Sequence, residues 1–410
     1  VSTAEAVEQR ALAASDETGS PFSLRIRFTR LQLVMILLVV SAISWRRGVY
    51  YSGGADAVVV AKAMLTVIAL GLAFTLPKPD RRWSQVEVTP VLGMLGYLAI
   101  AVISALLISD ETVASMILVI RLIMLAAALV LVARARPWRE VVNAMLVAML
   151  VVGAFASITG IGTLASGRLE GGIPPVGPNQ ICLMFSLPAL AVAHRCIFRS
   201  ATALDVLALP LLLGLVWATG SRTGLAALVL GMAIMVVIAP RISVPVFTAA
   251  VLSIPAVAAV VGLTSVMEEF VGRGDTASLL TLNSRTVAWS AAIDYPDNLL
   301  ERLIGGGLAL RQIPVSAMYR DTQILDSTWV SAYLQVGLLG TLALVAAIVT
   351  TLVASRRCTR PTRAFFVAAI VMLALVSILE SGLFDTSVSF IVFFTTTLAI
   401  YAHPKRRQMA

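Results

Sequence analysis

Little of this sequence is charged, and little of it suits redox or metal chemistry. Charged residues make up 13% of its 410 positions, about half the share usual in soluble domains, roughly 25%. So little polar surface cannot cover a water-soluble core, which excludes a secreted or cytosolic globular enzyme and a disordered scaffold. The three cysteines, Cys182, Cys196 and Cys358, form no CxxC or Cys/His cluster. Neither a zinc site nor a disulfide framework is supported. Only two histidines are present, His194 and His403. The first 30 residues hold no early apolar stretch, so no cleaved signal peptide is expected.

Apolar residues are what the chain has in quantity. They form 59% of it, enough for roughly a dozen helices of about 20 residues crossing a bilayer. Apolar runs fall near 31–44, 57–76, 90–108, 113–133, 141–160, 178–194, 203–219, 223–239, 243–264, 327–354, 364–380 and 386–402. The expected fold class is therefore all-α, a polytopic membrane bundle of about 12 transmembrane helices. Residues 1–30 read as a flexible cytoplasmic tail and 31–410 as one membrane domain.

Lysine and arginine then orient the bundle, because cytoplasmic loops are enriched in them. With the N-terminus inside, inner segments carry 20 Lys/Arg and outer ones nine, while eight acids lie inside and 14 outside. Both termini are expected in the cytoplasm. The net charge of +9 belongs to these loops, so no nucleic-acid partner is expected; the partner is the lipid bilayer.

One outer segment, 265–326, is about 60 residues long. Loops beyond about 15 residues are uncommon unless functional or disordered. Asn283-Ser284-Arg285-Thr286 reads as a cap-like start to a short interfacial helix over 287–293, stopped by Pro296. Gly305-Gly306-Gly307 then predicts a tight turn. The outer loop 161–177 is smaller and also rich in Gly and Pro. Function is sought on this face.

Arg222 stands in Gly220-Ser221-Arg222-Thr223-Gly224, between two apolar runs with almost no loop. It is either an interfacial arginine reaching lipid headgroups or an anion ligand, its fork suited to bidentate phosphate binding. The flanking Gly220 and Gly224 are expected to open space for a bulky ligand. Arg285 falls in the first turn of the loop helix, where free N–H groups attract anions; taken alone, it reads more readily as a solvated loop residue. Arg168 lies near Pro178-Asn179-Gln180, where Asn179 is placed to hydrogen-bond a sugar or phosphate. Arg121 lies roughly 12 Å into its span and either lines the same cavity or pairs with an acid. No outer histidine is available as a base. The outer carboxylates near span ends are Asp326, Glu380 and Asp385. Asp326, opening the tenth span, reads as a general base, as a helix cap, or as both.

The order Gly167-Arg168, Pro178-Asn179, Gly220-Ser221-Arg222-Thr223-Gly224, Asn283-Ser284-Arg285 and Asp326 followed by Gly337-Leu338-Leu339-Gly340 resembles the O-antigen ligase/polymerase family. These are bacterial GT-C-like membrane glycosyltransferases. The resemblance covers roughly residues 90–400. It implies transfer of an oligosaccharide from a polyprenyl-diphosphate carrier to an acceptor glycan, on the outer face of the cytoplasmic (inner) membrane. It implies Arg222 and Arg285 as ligands of the lipid diphosphate, with no cofactor and no metal. Arg168, Asn179, Arg121 and Ser221 are the expected substrate-binding residues. Ligase-type members carry a histidine eleven residues before the Gly-Leu-Leu-Gly pattern, where this chain has Asp326. The aspartate looks more like polymerase-type members. The expected function is thus a glycan polymerase, with a ligase using a different lipid or glycan acceptor as the alternative. A lipid-linked glycan transporter is a further one, although no internal repeat is evident.

Overall fold

In a computed structural model the described residues are 22, 24, 26–46, 56–77, 86–198, 201–239, 289–317 and 320–403. Their apolar helices run α1 (Arg30–Ala42), α2 (Ala57–Phe74), α3 (Val88–Leu107), α4 (Thr112–Ala135), α5 (Trp138–Thr159), α6 (Pro178–Ile197), α7 (Ala203–Ala218) and α8 (Arg222–Ile238). After the long loop come a six-residue helix α9 (Leu299–Ile304), the hairpin β1–β2 (Gln312–Ala317, Arg320–Ile324), and helices α10 (Thr328–Ala354), α11 (Arg360–Leu379) and α12 (Val388–Tyr401).

Seven helices are long and apolar enough to cross a membrane, and four more, α1, α7, α8 and α12, are apolar but shorter. The chain is a multi-pass membrane protein. The expected twelve spans are reached only in part: the run at 243–264 lies outside the described residues. The short helices have local causes. α1, with 13 residues, spans about 20 Å, against a hydrocarbon thickness of about 30 Å. α12 starts only at Val388, because residues 380–387 are spent on a polar turn.

Helices α6 and α12 are buried almost all round, as expected of segments at the centre of a bundle. The perimeter is apolar too. Phe74, Val113, Leu207 and Val237 are exposed on α2, α4, α7 and α8. Exposed apolar surface on this scale fits a lipid-facing surface rather than water.

Contacts between turns define two ends. At one, here the loop face, Ser44 after α1 donates from its backbone N (3.3 Å) and Oγ (3.1 Å) to Gln180 Oε1 on α6. Ala309 N donates to Ser115 Oγ on α4 at 3.2 Å, and Thr328 Oγ1 donates to the Glu380 carbonyl at 2.7 Å. At the opposite end Arg195 pairs with Asp205 at 2.9 Å and Arg357 with Glu87 at 2.6 Å. There Phe22, within the tail expected to be flexible, is buried against Phe365 (ring centroids 4.0 Å apart) and His194 (5.1 Å).

α10 is broken at Gly337, whose φ of 68° and ψ of −169° are not helical. The long loop fills the break. Gly306 N donates to Leu334 O (2.7 Å) and Gly307 N to Gln335 O (2.9 Å), taking carbonyls the broken helix leaves unpaired. Ser104 Oγ on α3 reaches both Gly305 O (2.7 Å) and Gln335 O (3.0 Å). A Cβ on Gly337 would lie 2.3 Å from the Leu303 carbonyl, and one on Gly305 2.4 Å from the Gln335 carbonyl carbon. Backbone at this depth is tolerated only when its polar groups are satisfied by protein. The turn expected at Gly305–Gly307 is therefore an insertion into α10.

The loop also differs from its expected all-helical content. Residues 289–294 are helical and the helix has stopped by Pro296, as expected, while its cap-like start lies outside the described residues. Residues 312–324 instead form the antiparallel hairpin, with Gln312 opposite Ile324. Ile313 is buried with Ala292, Leu325 and Leu334 in a small core separate from the main one. The Ile-Pro-Val stretch favours extended backbone, and that core holds it.

Candidate functional site

The loop face gathers two clusters around the 380–387 turn between α11 and α12. The first contains Arg168, Asn179 and the Ser-Arg-Thr-Gly turn. Leu169 N donates to Ala218 O at 2.8 Å and Arg168 Nε to Thr219 O at 3.0 Å, so the 160–177 loop is laced to the α7–α8 turn. Arg168 Nη2 reaches Asn179 Oδ1 at 3.5 Å, and Asn179 Nδ2 donates to Glu380 Oε1. The Glu380 carbonyl in turn accepts from Thr328 at the start of α10. Residues more than 200 positions apart are thereby joined.

Gly220 turns the chain with a φ of 61°. Ser221 is the N-cap of α8, its hydroxyl accepting from Gly224 N at 3.3 Å. Arg222, the first helical residue, is exposed. Gly224 does not open space for a ligand as expected. A Cβ there would lie 2.3 Å from Cys182 Sγ, so this glycine lets α8 pack on α6. The crevice lined by Asn179, Cys182, Ser221, Thr223 and Glu380 is about 10 Å³, room for about one water molecule. A bulky anion at Arg222 must approach from the exposed side.

Asp326 is half-buried, one residue before the α10 N-cap, which is Ser327. The capping position expected for Asp326 thus falls to its neighbour. Arg285 lies outside the described residues.

The second cluster was legible only in fragments. Arg311, from the long loop, pairs with Asp385. Asp385 also accepts from Thr386 N at 2.6 Å. Burial pushes the Asp385 carboxyl up, but Arg311, these hydrogen bonds and Arg121 outweigh it and hold it below the usual aspartate value. Arg121 on α4 and Lys62 on α2 are electrostatic neighbours of this pair. Of the two readings for Arg121, no ion pair forms among the described residues; its Nη2 donates to the Ser41 carbonyl at 3.4 Å. Arg311 was one outer arginine among nine, with nothing local to mark it. The signal for Lys62 was a lone charge in an apolar span.

Arg311 also lines a cleft of this face, about 350 Å³, together with Ser109, Asp110, Glu111, Tyr295 and Glu301. Burial, then Glu301 and Asp110, raise the Tyr295 hydroxyl above its usual value, so it stays a donor at neutral pH. Among the described residues, no group of three or more His, Cys, Asp or Glu gathers to hold a metal ion.

Compared with known proteins, the chain matches no family model and no curated relative. The likeness to the O-antigen ligase/polymerase family rests on its motifs alone.

Proposed function

We propose that the protein is a glycan polymerase of the O-antigen ligase/polymerase type, with the loop face outside the bacterial cytoplasmic membrane. The observation that carries this reading is the union of Arg168, Asn179, the Arg222 turn and the start of α10 through Glu380. Those segments hold four of the five motifs of the resemblance, and hydrogen bonds tie them to one face. A membrane carrier would lie along the apolar perimeter with its diphosphate at that face.

In the reaction, an acceptor sugar hydroxyl attacks the anomeric carbon of the carrier-linked oligosaccharide. The new C–O bond forms as the bond to the diphosphate breaks. Arg222 and Arg285 stabilise the leaving diphosphate, electrostatic work of the oxyanion-hole kind. Asp326 takes the hydroxyl proton, and a single displacement inverts the sugar carbon. No metal is invoked, because arginines supply the positive charge.

The break in α10 favours transport as a second reading, since broken helices line many transport paths. Here the break is filled by the Gly305–Gly307 backbone, which supports a fixed site over a moving one. Purified protein given a polyprenyl-diphosphate oligosaccharide should build a ladder of products. Single transfer to another acceptor would make it a ligase, and carrier movement without transfer a transporter. Arg222→Lys should recover little of the transfer lost in Arg222→Ala, because a point charge cannot grip a diphosphate bidentately.

A further inference from the structure

The loop face contains two cations that lie outside the Arg168–Asn179–Glu380 cluster, one of them, Arg121, expected from the sequence as a substrate ligand. Lys62 on α2 and Arg121 on α4 sit beside the Arg311–Asp385 pair. Among the described residues, four cations and two carboxylates are charge neighbours in this region: Arg46, Lys62, Arg121 and Arg311 with Asp56 and Asp385. Asp56 is held by Arg46 at 3.1 Å and by Val58 N at 2.8 Å, and Asp385 by Arg311. Lys62 and Arg121 are left without an ion pair among the described residues.

Arg121 is only 6% exposed, and its Nε has no hydrogen-bond partner among the described residues. Among the described residues, its acceptor is the Ser41 carbonyl in the last turn of α1. A helix C-terminus carries about half a negative charge. Among the described residues, that leaves roughly one and a half positive charges uncompensated within apolar helices, where charge is costly unless it meets an opposite charge, backbone carbonyls, water or a ligand.

We propose that the half-buried Lys62 and the buried Arg121 form a seat for a phosphate-class anion beside the Arg311–Asp385 pair. The charge matches: a phosphate monoester carries about −1.5 to −2 at neutral pH. The donor types suit it as well, since guanidinium and ammonium groups both bind tetrahedral oxyanions. Arg311 joins the seat to the cleft of about 350 Å³ through which a headgroup can enter. The inference is consistent with the transferase reading, where it adds a second site for the phosphate end of a lipid carrier. It is drawn from charge and burial alone, and the binding test below needs no transfer, so either can fail without the other.

The test uses the full chain in nanodiscs of phosphatidylcholine, in chloride buffer. One arm measures binding of radiolabelled inorganic phosphate and diphosphate. The other measures retention of a polyprenyl monophosphate by native mass spectrometry. Wild type should bind at least one probe saturably, and Arg121→Gln and Lys62→Gln should each weaken it by about tenfold or more. Arg356→Gln, exposed at the opposite end, should bind as wild type. Binding of the inorganic probes alone assigns a small free anion, and binding of the polyprenyl probe alone assigns a lipid headgroup. Saturable binding by neither, or unchanged binding in Lys62→Gln, overturns the seat. If Arg121→Gln fails to fold, Lys62→Gln decides by itself.

Discussion

The two ends of this bundle are held together by different physics. At the end opposite the loop face, Phe22 packs on Trp138, His194, Phe365 and Phe366, tilted against Phe365 and edge to face with the others, with centroids 4.0–6.4 Å apart. Such packing is stabilised by buried area and ring quadrupoles and tolerates small shifts. The loop face is held by hydrogen bonds to backbone groups and by glycines at contact distance, while ion pairs occur at both ends. These have narrow geometry and fail when one partner moves. A rigid polar end suits positioned chemistry, and an aromatic end suits anchoring. On the function proposed above, the loop face carries the chemistry and the aromatic end the support.

Gly337→Ala should break that comparison most severely. A left-handed φ costs about 1–3 kcal/mol for a residue with a Cβ, and this Cβ would also overlap the Leu303 carbonyl at 2.3 Å. Yield of monodisperse protein should collapse. A variant with normal yield and melting temperature would mean that the α10 break is not held as described.

Asp326→Asn should act on chemistry and leave the fold alone. Ser327 holds the N-cap position, so the amide does not disturb it. Loss of a general base lowers rate by about 10²–10⁴-fold. Glycan transfer should fall by that order while melting is unchanged, and Asp326→His should recover part of it with a shifted pH optimum. Full activity of the asparagine variant would leave the arginines as the whole machinery.

Phe22→Ala should do the reverse. Removing a buried phenyl costs about 3–5 kcal/mol in a closed core, but a chain end can undock instead. Trypsin cleavage at Arg27 and Arg30 should rise by about tenfold or more, with glycan transfer close to normal. Transfer lost in step with cleavage would show that the two ends are coupled.

The smallest effect is expected from acid at Asp385. Its folded value lies below the unfolded one. Its contribution is therefore full above the unfolded value, about 3.9, and fades as pH falls through the lower folded value. Melting curves from neutral pH to pH 3 should show wild type losing its advantage over Asp385→Asn in that window. An advantage that does not change with pH would assign the stability to packing.

Much of the bundle was legible in the chain. Apolar runs located eleven of the helices within a few residues, because a span must be apolar over its whole length. Asn179 and Glu380 were legible as polar groups at span ends, but not as partners. Gly224 was misread because a glycine that admits a ligand and one that admits a helix look alike in sequence; only the sulfur of Cys182 at 2.3 Å distinguishes them. The hairpin 312–324 was missed because its short alternation competes with helical neighbours until a local core forms around Ile313.

The sequence by itself determined the class of solvent, the places of the apolar helices among the described residues and the segments that carry polar side chains, since each follows from composition along a local window; it did not determine how many of those helices are long enough to span, seven against the twelve expected. Only the tertiary structure decided which of those side chains meet. The Arg168–Asn179–Glu380 chain, the Arg311–Asp385 pair and the Gly305–Gly307 insertion into α10 join residues from 11 to more than 200 positions apart. Such contacts depend on how helices pack side by side, and helix packing depends on the shape of whole surfaces, which no local pattern encodes.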